Sequence, residues 1–317
     1  MSVTLGVVMD PITDITPYKD STLAMLLEAQ QRGWKIQYME MADLSVREGV
    51  AYGQAKTLTV RDDNDDWFTF TSEATELALG DLDVILMRKD PPFDTEYIYA
   101  TYILELAETA GALVVNKPSA LRDVNEKMSI TVFSQLCAPT MVSRSAKQIR
   151  DFLVEHNEIV LKPLDGMGGS RIFRVKHGDP NLSVMLEVLT EHGTRYAMAQ
   201  KFLPAIEHGD KRILVIDGKP VPQVLARIPA PGESRGNLAA GGRGEGVDIT
   251  QAEIDMCAEM APFLRDKGLI FVGIDVIGDK LTEINVTSPT CIRELDKIYD
   301  INISAQLLDA IAARLDA

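Results

Sequence analysis

Lys162-Pro163 closes an apolar run, Ile159-Val-Leu161, and Asp165-Gly166-Met167-Gly168-Gly169-Ser170 follows at once. A strand that delivers a lysine into a glycine-rich turn suits a phosphate. Glycine removes the Cβ that keeps backbone N–H groups from converging on an anion, and the ammonium adds a point charge. The segment fits neither G-x-x-x-x-G-K-[ST] nor G-x-G-x-x-G, because Arg171 occupies the last glycine position. Both a P-loop and a Rossmann dinucleotide site are therefore disfavoured. Taken alone, the segment is equally an ordinary β-hairpin turn.

A second set lies in Gly273-Ile-Asp275-Val-Ile-Gly-Asp-Lys-Leu-Thr-Glu283-Ile-Asn285. Glu283 and Asn285 are two apart on one strand and share a face. A three-residue loop, Gly278-Asp279-Lys280, puts Ile277 opposite Leu281 and Asp275 opposite Glu283. All three oxygen-bearing side chains then share that face, with Leu281 among them. A two-residue loop would turn Asp275 away, and the three-residue loop is the expectation. Two carboxylates and an amide oxygen suit Mg²⁺, which takes few protein ligands and completes its shell with water and phosphate oxygens. The competing possibility is the wet face of an amphipathic hairpin.

The third set is the stretch from Arg227 to Gly246, where Arg227, Glu233, Arg235 and Arg243 stand among glycines. Loops this long are uncommon unless functional or disordered. Arginines on glycine hinges suit a lid that closes over an anionic intermediate and excludes water; a disordered insertion is the alternative. The other candidates are weaker. His156, His177, His192 and His208 show no H-x-x-x-H spacing for zinc, and no G-x-S-x-G occurs. Cys291 has no evident paired base and reads as a loop or buried thiol.

Positioning these sets requires several kinds of element. Residues 3–8, 34–39, 83–87 and 113–115 read as strands alternating with helices after Asp20 and Asp94, which implies a mostly parallel sheet. Residues 46–60 read as a hairpin around Glu48-Gly49, and Asp62 to Asp66 as a solvated acidic loop. Lys117-Pro118 breaks the pattern and places a boundary near residue 122. Helices at 125–136, 146–156 and 181–192, with strands at 159–163, 171–175 and 196–203, form a small α+β module. Beyond Lys211, antiparallel strands at 213–216 and 221–228 precede an irregular stretch, 229–246. Thr250-Gln-Ala-Glu253 is a capping box opening a helix to about Lys267. Strands at 271–277 and 281–286 and a last helix at 303–315 complete the chain.

Composition narrows the function classes. The 317 residues are 46% apolar and 25% charged, enough for a sizeable core in two or three domains. Thirty-two Lys and Arg against 47 Asp and Glu leave a net charge of −15, a field that repels nucleic-acid backbones. Three scattered cysteines favour a reducing compartment over a disulfide framework. With no signal-like N-terminus and no long apolar stretch, the expectation is a cytoplasmic protein with no membrane partner.

Lysine with a glycine-rich turn, a magnesium hairpin and a lid are parts for handling ATP without a P-loop. On these residues the chain resembles the ATP-grasp ligases, and most closely the bacterial glutathione synthetases, over essentially its whole length. The segments carrying the likeness are Val8-Met-Asp-Pro-Ile12, Leu86-Met-Arg-Lys-Asp-Pro-Pro-Phe-Asp94, Val115-Asn-Lys-Pro118, Leu161-Lys-Pro-Leu-Asp-Gly-Met-Gly-Gly169, Gly236-Asn-Leu-Ala-Ala-Gly-Gly-Arg-Gly244 and Leu281-Thr-Glu-Ile-Asn-Val-Thr-Ser-Pro-Thr290.

The resemblance implies an N-terminal parallel α/β (pre-ATP-grasp) domain, residues 1–122, which helps bind a peptide. It also implies an ATP-grasp fold with ATP between two antiparallel sheets, split into 123–205 and 206–317 with a lid at 229–246. The implied reaction is ligation of glycine to γ-glutamylcysteine through an acyl phosphate, giving glutathione, ADP and phosphate. Lys127, Lys162 and Gly166, Met167, Gly168 and Gly169 would meet the phosphates of ATP. Gln200, Lys201, Phe202 and Leu203 would meet adenine, the last two through backbone atoms. Asp275, Glu283 and Asn285 would hold two Mg²⁺ or Mn²⁺ ions. Arg212 and Arg227, with Arg235 of the lid, would stabilise charge on the intermediate or bind carboxylates. Ser288, Thr290, Arg293, Asp10, Arg88 and Lys89 are substrate candidates, and a homo-oligomer, a tetramer, is implied. Another carboxylate–amine ligase, joining D-alanines or adding glutamate, and a non-catalytic ATP-binding module stay open.

Overall fold

A computed structural model describes residues 3–233, 235–236 and 241–316. Its first part is a sheet in the order β3-β4-β2-β1-β7-β8, with two short strands attached to β4. The strands are β1 (Thr4–Val8), β2 (Lys35–Met39), β3 (Leu44–Arg47), β4 (Val50–Val60), β5 (Phe68–Phe70), β6 (Thr75–Ala78), β7 (Val84–Met87) and β8 (Leu113–Val115). Strands β2, β1, β7 and β8 run parallel. Their apolar runs are buried, as expected of strands covered on both faces. Helices α1 (Ser21–Gln31), α2 (Thr95–Ala110) and α3 (Pro118–Asp123) supply the covering. The Asp20 carboxylate accepts from Leu23 N at 2.6 Å and that of Asp94 from Tyr97 N at 2.9 Å, so both expected helix starts carry side-chain caps. The 48–49 hairpin forms as read, whereas β5 and β6, each only three or four residues long, were not expected.

A four-stranded antiparallel sheet follows, ordered β11-β10-β12-β9: β9 (Thr140–Ser143), β10 (Glu158–Pro163), β11 (Phe173–Lys176) and β12 (Ala197–Lys201). Helices α4 (Ala146–His156) and α5 (Leu182–Thr190) cover it and share its apolar core. The helix expected over 125–136 is instead a 3₁₀ segment, Met128–Leu136, interrupted at Phe133. The β-branched run Ile130-Thr-Val132 disfavours α geometry there.

The third sheet runs β16-β15-β13-β17-β18, with β14 attached to β13. Its strands are β13 (Asp210–Ile216), β14 (Lys219–Pro220), β15 (Gln223–Ile228), β16 (Arg243–Asp248), β17 (Phe271–Ile277) and β18 (Lys280–Asn285). Helix α6 (Gln251–Asp266) starts at the expected capping box, where Thr250 and Glu253 bond reciprocally. The expected irregular stretch stops short: Arg243 to Asp248 pairs with β15 as an edge strand, whose alternating glycines hid it. Ser234 and residues 237–240 of the expected lid lie outside the described residues. Helix α7 (Ile292–Tyr299) was not anticipated, while α8 (Ile303–Leu315) falls where it was read. Both pack back onto the first part: Ile292, Leu295, Ile303, Leu307 and Ile311 share a core with Leu5, Leu23 and Leu26. Among the described residues no helix is long and apolar enough to cross a membrane.

Candidate active site

The glycine-rich turn projects from the end of β10. Gly168 and Gly169 have φ of +61° and +77°, a region most side chains avoid. A Cβ on Gly166 would sit 2.7 Å from Pro163 Cγ. The Lys127 ammonium donates to Gly166 O and stands 3.5 Å from Glu283 Oε1. Lys162 donates to Thr282 O at 3.4 Å. Both lysines are about 5% exposed, and burial pulls Lys162 below its ordinary pKa despite Glu283. A cavity of about 160 Å³ separates this sheet from the β13–β18 sheet. Lys127, Lys162, the 166–169 turn, Gln200 to Leu203, Arg212, Arg235, Asp275, Glu283 and Asn285 all line it. Gln200 donates to Thr140 Oγ1 at 2.9 Å, and Arg174 lies 3.8 Å over the Phe202 ring. Phe202 N donates to Glu158 O, so of the backbone contacts expected at Phe202 this N–H is already engaged within the protein.

The hairpin carries Asp275 opposite Glu283 and Gly273 opposite Asn285, as expected, but by a different route. Ile277 pairs with Lys280, so the loop has two residues, not three, and a bulge at Thr282 shifts the register. Leu281 therefore pairs with Val276 and is buried in the core, not on the carboxylate face. Asn285 donates Nδ2 to Gly273 O at 3.1 Å and to Asp275 Oδ2 at 3.2 Å, so its oxygen is the atom it can offer a cation. With the cavity-facing Glu283 carboxylate this suits a hard cation that keeps several non-protein oxygens. The described residues hold no metal-spaced group of three or more His, Cys, Asp or Glu.

Cross-strand pairing assembles a charged row on the same sheet face. Arg212 lies across from Asp275, and Arg227 across from Asp210. Arg212 grips Asp275 bidentately at 2.5 and 3.0 Å. Arg227 Nη2 bridges Asp210 at 2.6 Å and Asp275 at 3.0 Å, and its Nε donates to Asp210 O at 3.2 Å. Burial works to raise Asp275, yet the two guanidiniums hold it well below the carboxylate range. Asp210 is pushed up to about 6 by burial, which Arg227 offsets only in part and to which the charges of Asp275 and Glu283 add. Its Oδ1 is buried without a partner in the structure. Sequence reading missed Asp210, although its place two residues before Arg212 was a usable signal.

A second cavity, about 570 Å³, opens between this face and the N-terminal sheet. Asp10, Arg88, Arg227, Ser288 and Thr290 line it, as do the unforeseen Lys19, Thr22 and Glu294. Arg88 is buried and oriented by Thr22 Oγ1 at 3.1 Å and Pro289 O at 3.0 Å. Two expected residues are not brought in. Lys89 turns aside to pair with Asp10 at 2.8 Å, and Arg293, on α7, pairs with Asp62. The two cavities share Glu126, Met167, Gly168, Arg212 and Asn285.

A phosphate-suited turn and Lys162 on one antiparallel sheet, with Lys127 just ahead of that sheet, face carboxylates and arginines on another and define an ATP-grasp ligase. Solved structures share the fold: D-cycloserine synthetase DcsG has a TM-score of 0.68 at 16% identity, covering 98% of this chain and 99% of that one. The ATP-grasp ligase PsnB, complexed with minimal precursor, Mg and ADP, has a TM-score of 0.63 at 15% identity, covering 99% and 98%. The family model of the prokaryotic glutathione synthetase N-terminal domain matches residues 3–122, and that of its ATP-grasp domain matches 126–300. The glutathione synthetase of Vibrio vulnificus (strain YJ016) is 59% identical over 317 residues, covering 100% of this chain and 99% of the relative. The chain belongs to the prokaryotic glutathione synthetase family and is an ATP-dependent ligase.

Proposed function

We propose that the protein joins glycine to γ-glutamylcysteine, forming glutathione, ADP and phosphate through an acyl phosphate. The observation that carries this reading is the meeting of the two cavities at Arg212, Asn285 and the glycine-rich turn. A nucleotide in the smaller cavity would direct its terminal phosphate there, toward an acid held in the larger one.

The chemistry asks for that junction. A carboxylate resists an amine because resonance and negative charge make it a poor electrophile. Its oxygen takes the γ-phosphoryl group and ADP departs. The glycine nitrogen then attacks the acyl carbon, the C–O bond to phosphate breaks, and phosphate leaves. Such transfer needs positioning and charge neutralisation more than covalent help. Lys127 and Lys162 would hold phosphate oxygens, with the 166–169 turn above them, and Gln200 to Leu203 would bound the adenine. Asp275, Glu283 and Asn285 would hold Mg²⁺ or Mn²⁺, two ions in the reading adopted, which supplies charge neutralisation at the phosphates. Arg212 and Arg227 would face charge on the acyl phosphate. Arg88, Asp10, Ser288 and Thr290 would line the peptide's end of the larger cavity. Arg235 and the surrounding lid would exclude water.

ADP release is measured with γ-glutamylcysteine and glycine, separately and together. Turnover that needs both is expected. Turnover with D-alanine or a protein acceptor, while the thiol peptide stays silent, overturns the substrate assignment. A homo-oligomer, taken as a tetramer on the family likeness, is checked by light scattering.

A further inference from the structure

Glu126 was singled out by no sequence motif, yet it borders both cavities where they meet. Its Oε1 accepts three hydrogen bonds: from Val286 N at 2.9 Å, Thr287 N at 3.1 Å and Thr287 Oγ1 at 2.9 Å. Its backbone oxygen accepts from Ile284 N at 2.9 Å. Four bonds therefore fasten one residue to the end of β18, beside Glu283 and Asn285. The neighbours of Glu126 reach the other way. Asn125 Nδ2 donates to Leu164 O at 3.2 Å, and the Lys127 ammonium donates to Gly166 O. Residues 125–127 thus span from the carboxylate-bearing strand to the glycine-rich turn.

We propose that Glu126 is a positioning residue: it locks the exit of β18 to the segment carrying Lys127, fixing Lys127 and the glycine-rich turn relative to Glu283 and Asn285. Three hydrogen-bond donors converge on one oxygen, so the device uses Glu126 as an acceptor, a role that an amide oxygen can also fill. A loosened exit would let the oxygen donors of β18 drift from the lysines. Small misplacements at a phosphoryl-transfer centre are costly, and outer partners of metal-binding groups matter by about 10–100-fold. The inference rests on the proposed nucleotide and metal assignment but not on the identity of the peptide.

The test compares Glu126→Ala, Glu126→Gln and Thr287→Val in the full chain. Two readouts are taken: steady-state kinetics, and the rise in unfolding temperature caused by a non-hydrolysable ATP analogue with and without Mg²⁺. Glu126→Ala is expected to lower kcat by about 10–100-fold while KM for peptide and glycine stays near wild type. It is also expected to shrink the Mg²⁺-dependent part of the thermal shift. Glu126→Gln, whose amide oxygen still accepts, is expected to retain both. A Glu126→Ala protein that only melts earlier, with kcat and the Mg²⁺ increment intact, overturns the proposal, since a merely structural bond would do that. A Glu126→Gln as impaired as Glu126→Ala also overturns it, by assigning the effect to charge. Should Glu126→Ala fail to fold, Thr287→Val decides: a smaller Mg²⁺ increment supports the lock, and an unchanged one overturns it. If the peptide assignment is wrong, wild type makes no glutathione, while the Mg²⁺ increment still reports on Glu126.

Discussion

Asp275 and Glu283 stand directly opposite each other across a two-residue turn, a pairing that an unbroken ladder would forbid. The extra residue at Thr282 makes the pairing possible. Its hydroxyl donates to Asp275 O at 3.1 Å, and its carbonyl accepts from Lys162. Without the bulge, Glu283 would pair with Ile274 and enter the core, because a one-residue slip exchanges the faces of a strand. The bulge thus allows a buried apolar Leu281 and a cavity-facing Glu283 two residues apart on one strand.

Glu283→Ala follows directly. The side chain is 21% exposed and its one ion pair among the described residues, to Lys127, spans 3.5 Å, so little folding stability depends on it. Unfolding temperature should stay near that of wild type while kcat falls at least about 100-fold, the scale of losing a contact to the transferring phosphate's cation. Parallel melting and ADP-release measurements check this. Wild-type turnover in a folded Glu283→Ala protein removes the metal assignment.

Arg227→Lys tests the charged row. The guanidinium makes three contacts from two nitrogens, Nε to Asp210 O and Nη2 to both Asp210 Oδ2 and Asp275 Oδ2. An ammonium cannot reproduce that fork, and Asp210, already pushed up by burial, would keep only part of its main compensation. A folded variant with kcat/KM reduced about 100-fold is expected, the cost of removing one charge-stabilising donor. Kinetics near wild type would move that role to Arg212.

Much of this site was legible beforehand, and the failures have identifiable physics. The Lys162 turn and the Glu283/Asn285 pair were readable because strand periodicity and glycine spacing are local signals. The bulge was not, because nothing in Leu281-Thr282-Glu283 marks an extra residue; a longer loop gave the correct face by a wrong count. Arg293 was expected at the site but pairs with Asp62 and lines neither cavity, and the helix that carries it was itself missed. Strand β16 was hidden by Gly244 and Gly246, where a Cβ would crowd Leu225 and Tyr299 respectively, so close packing selected residues that look like loop. Asp210 and Glu126 act through long-range pairs, which no local pattern records.

Asp296 offers a test by pH, away from the chemistry. Its Oδ1 accepts from Ile303 N at 2.9 Å, tying the end of α7 to the start of α8. Burial raises its pKa from 3.8 to about 6, against that bond and Arg293. The folded state therefore holds a proton more readily than the unfolded chain. This group's contribution to stability improves as pH falls from about 6 toward 4 and is unfavourable above 6. Asp296→Asn keeps an acceptor for Ile303 without the charge. It should stabilise the protein at pH 8 by roughly 1 kcal/mol, water still reaching the half-buried group. The gain should shrink toward pH 4, as chemical denaturation at several pH values would report. An equal gain at pH 4 and pH 8 would mean that titration is not its source.

Arg235→Ala addresses the lid. Arg235 donates to Gly169 O at 3.2 Å and pairs with Glu233 at 2.6 Å, so it joins the proposed lid to the glycine-rich turn beside the smaller cavity. An acyl phosphate hydrolyses readily, and a seal that opens early would let water take the place of the glycine amine. The expected effect is therefore on coupling, not only on rate: more ADP released per glutathione formed. The two products are quantified in the same reaction at saturating glycine, where competition for the intermediate favours the amine. A ratio that stays at one ADP per peptide bond, even with kcat lowered, would leave Arg235 as a phosphate-side contact and place the barrier to water elsewhere in the lid.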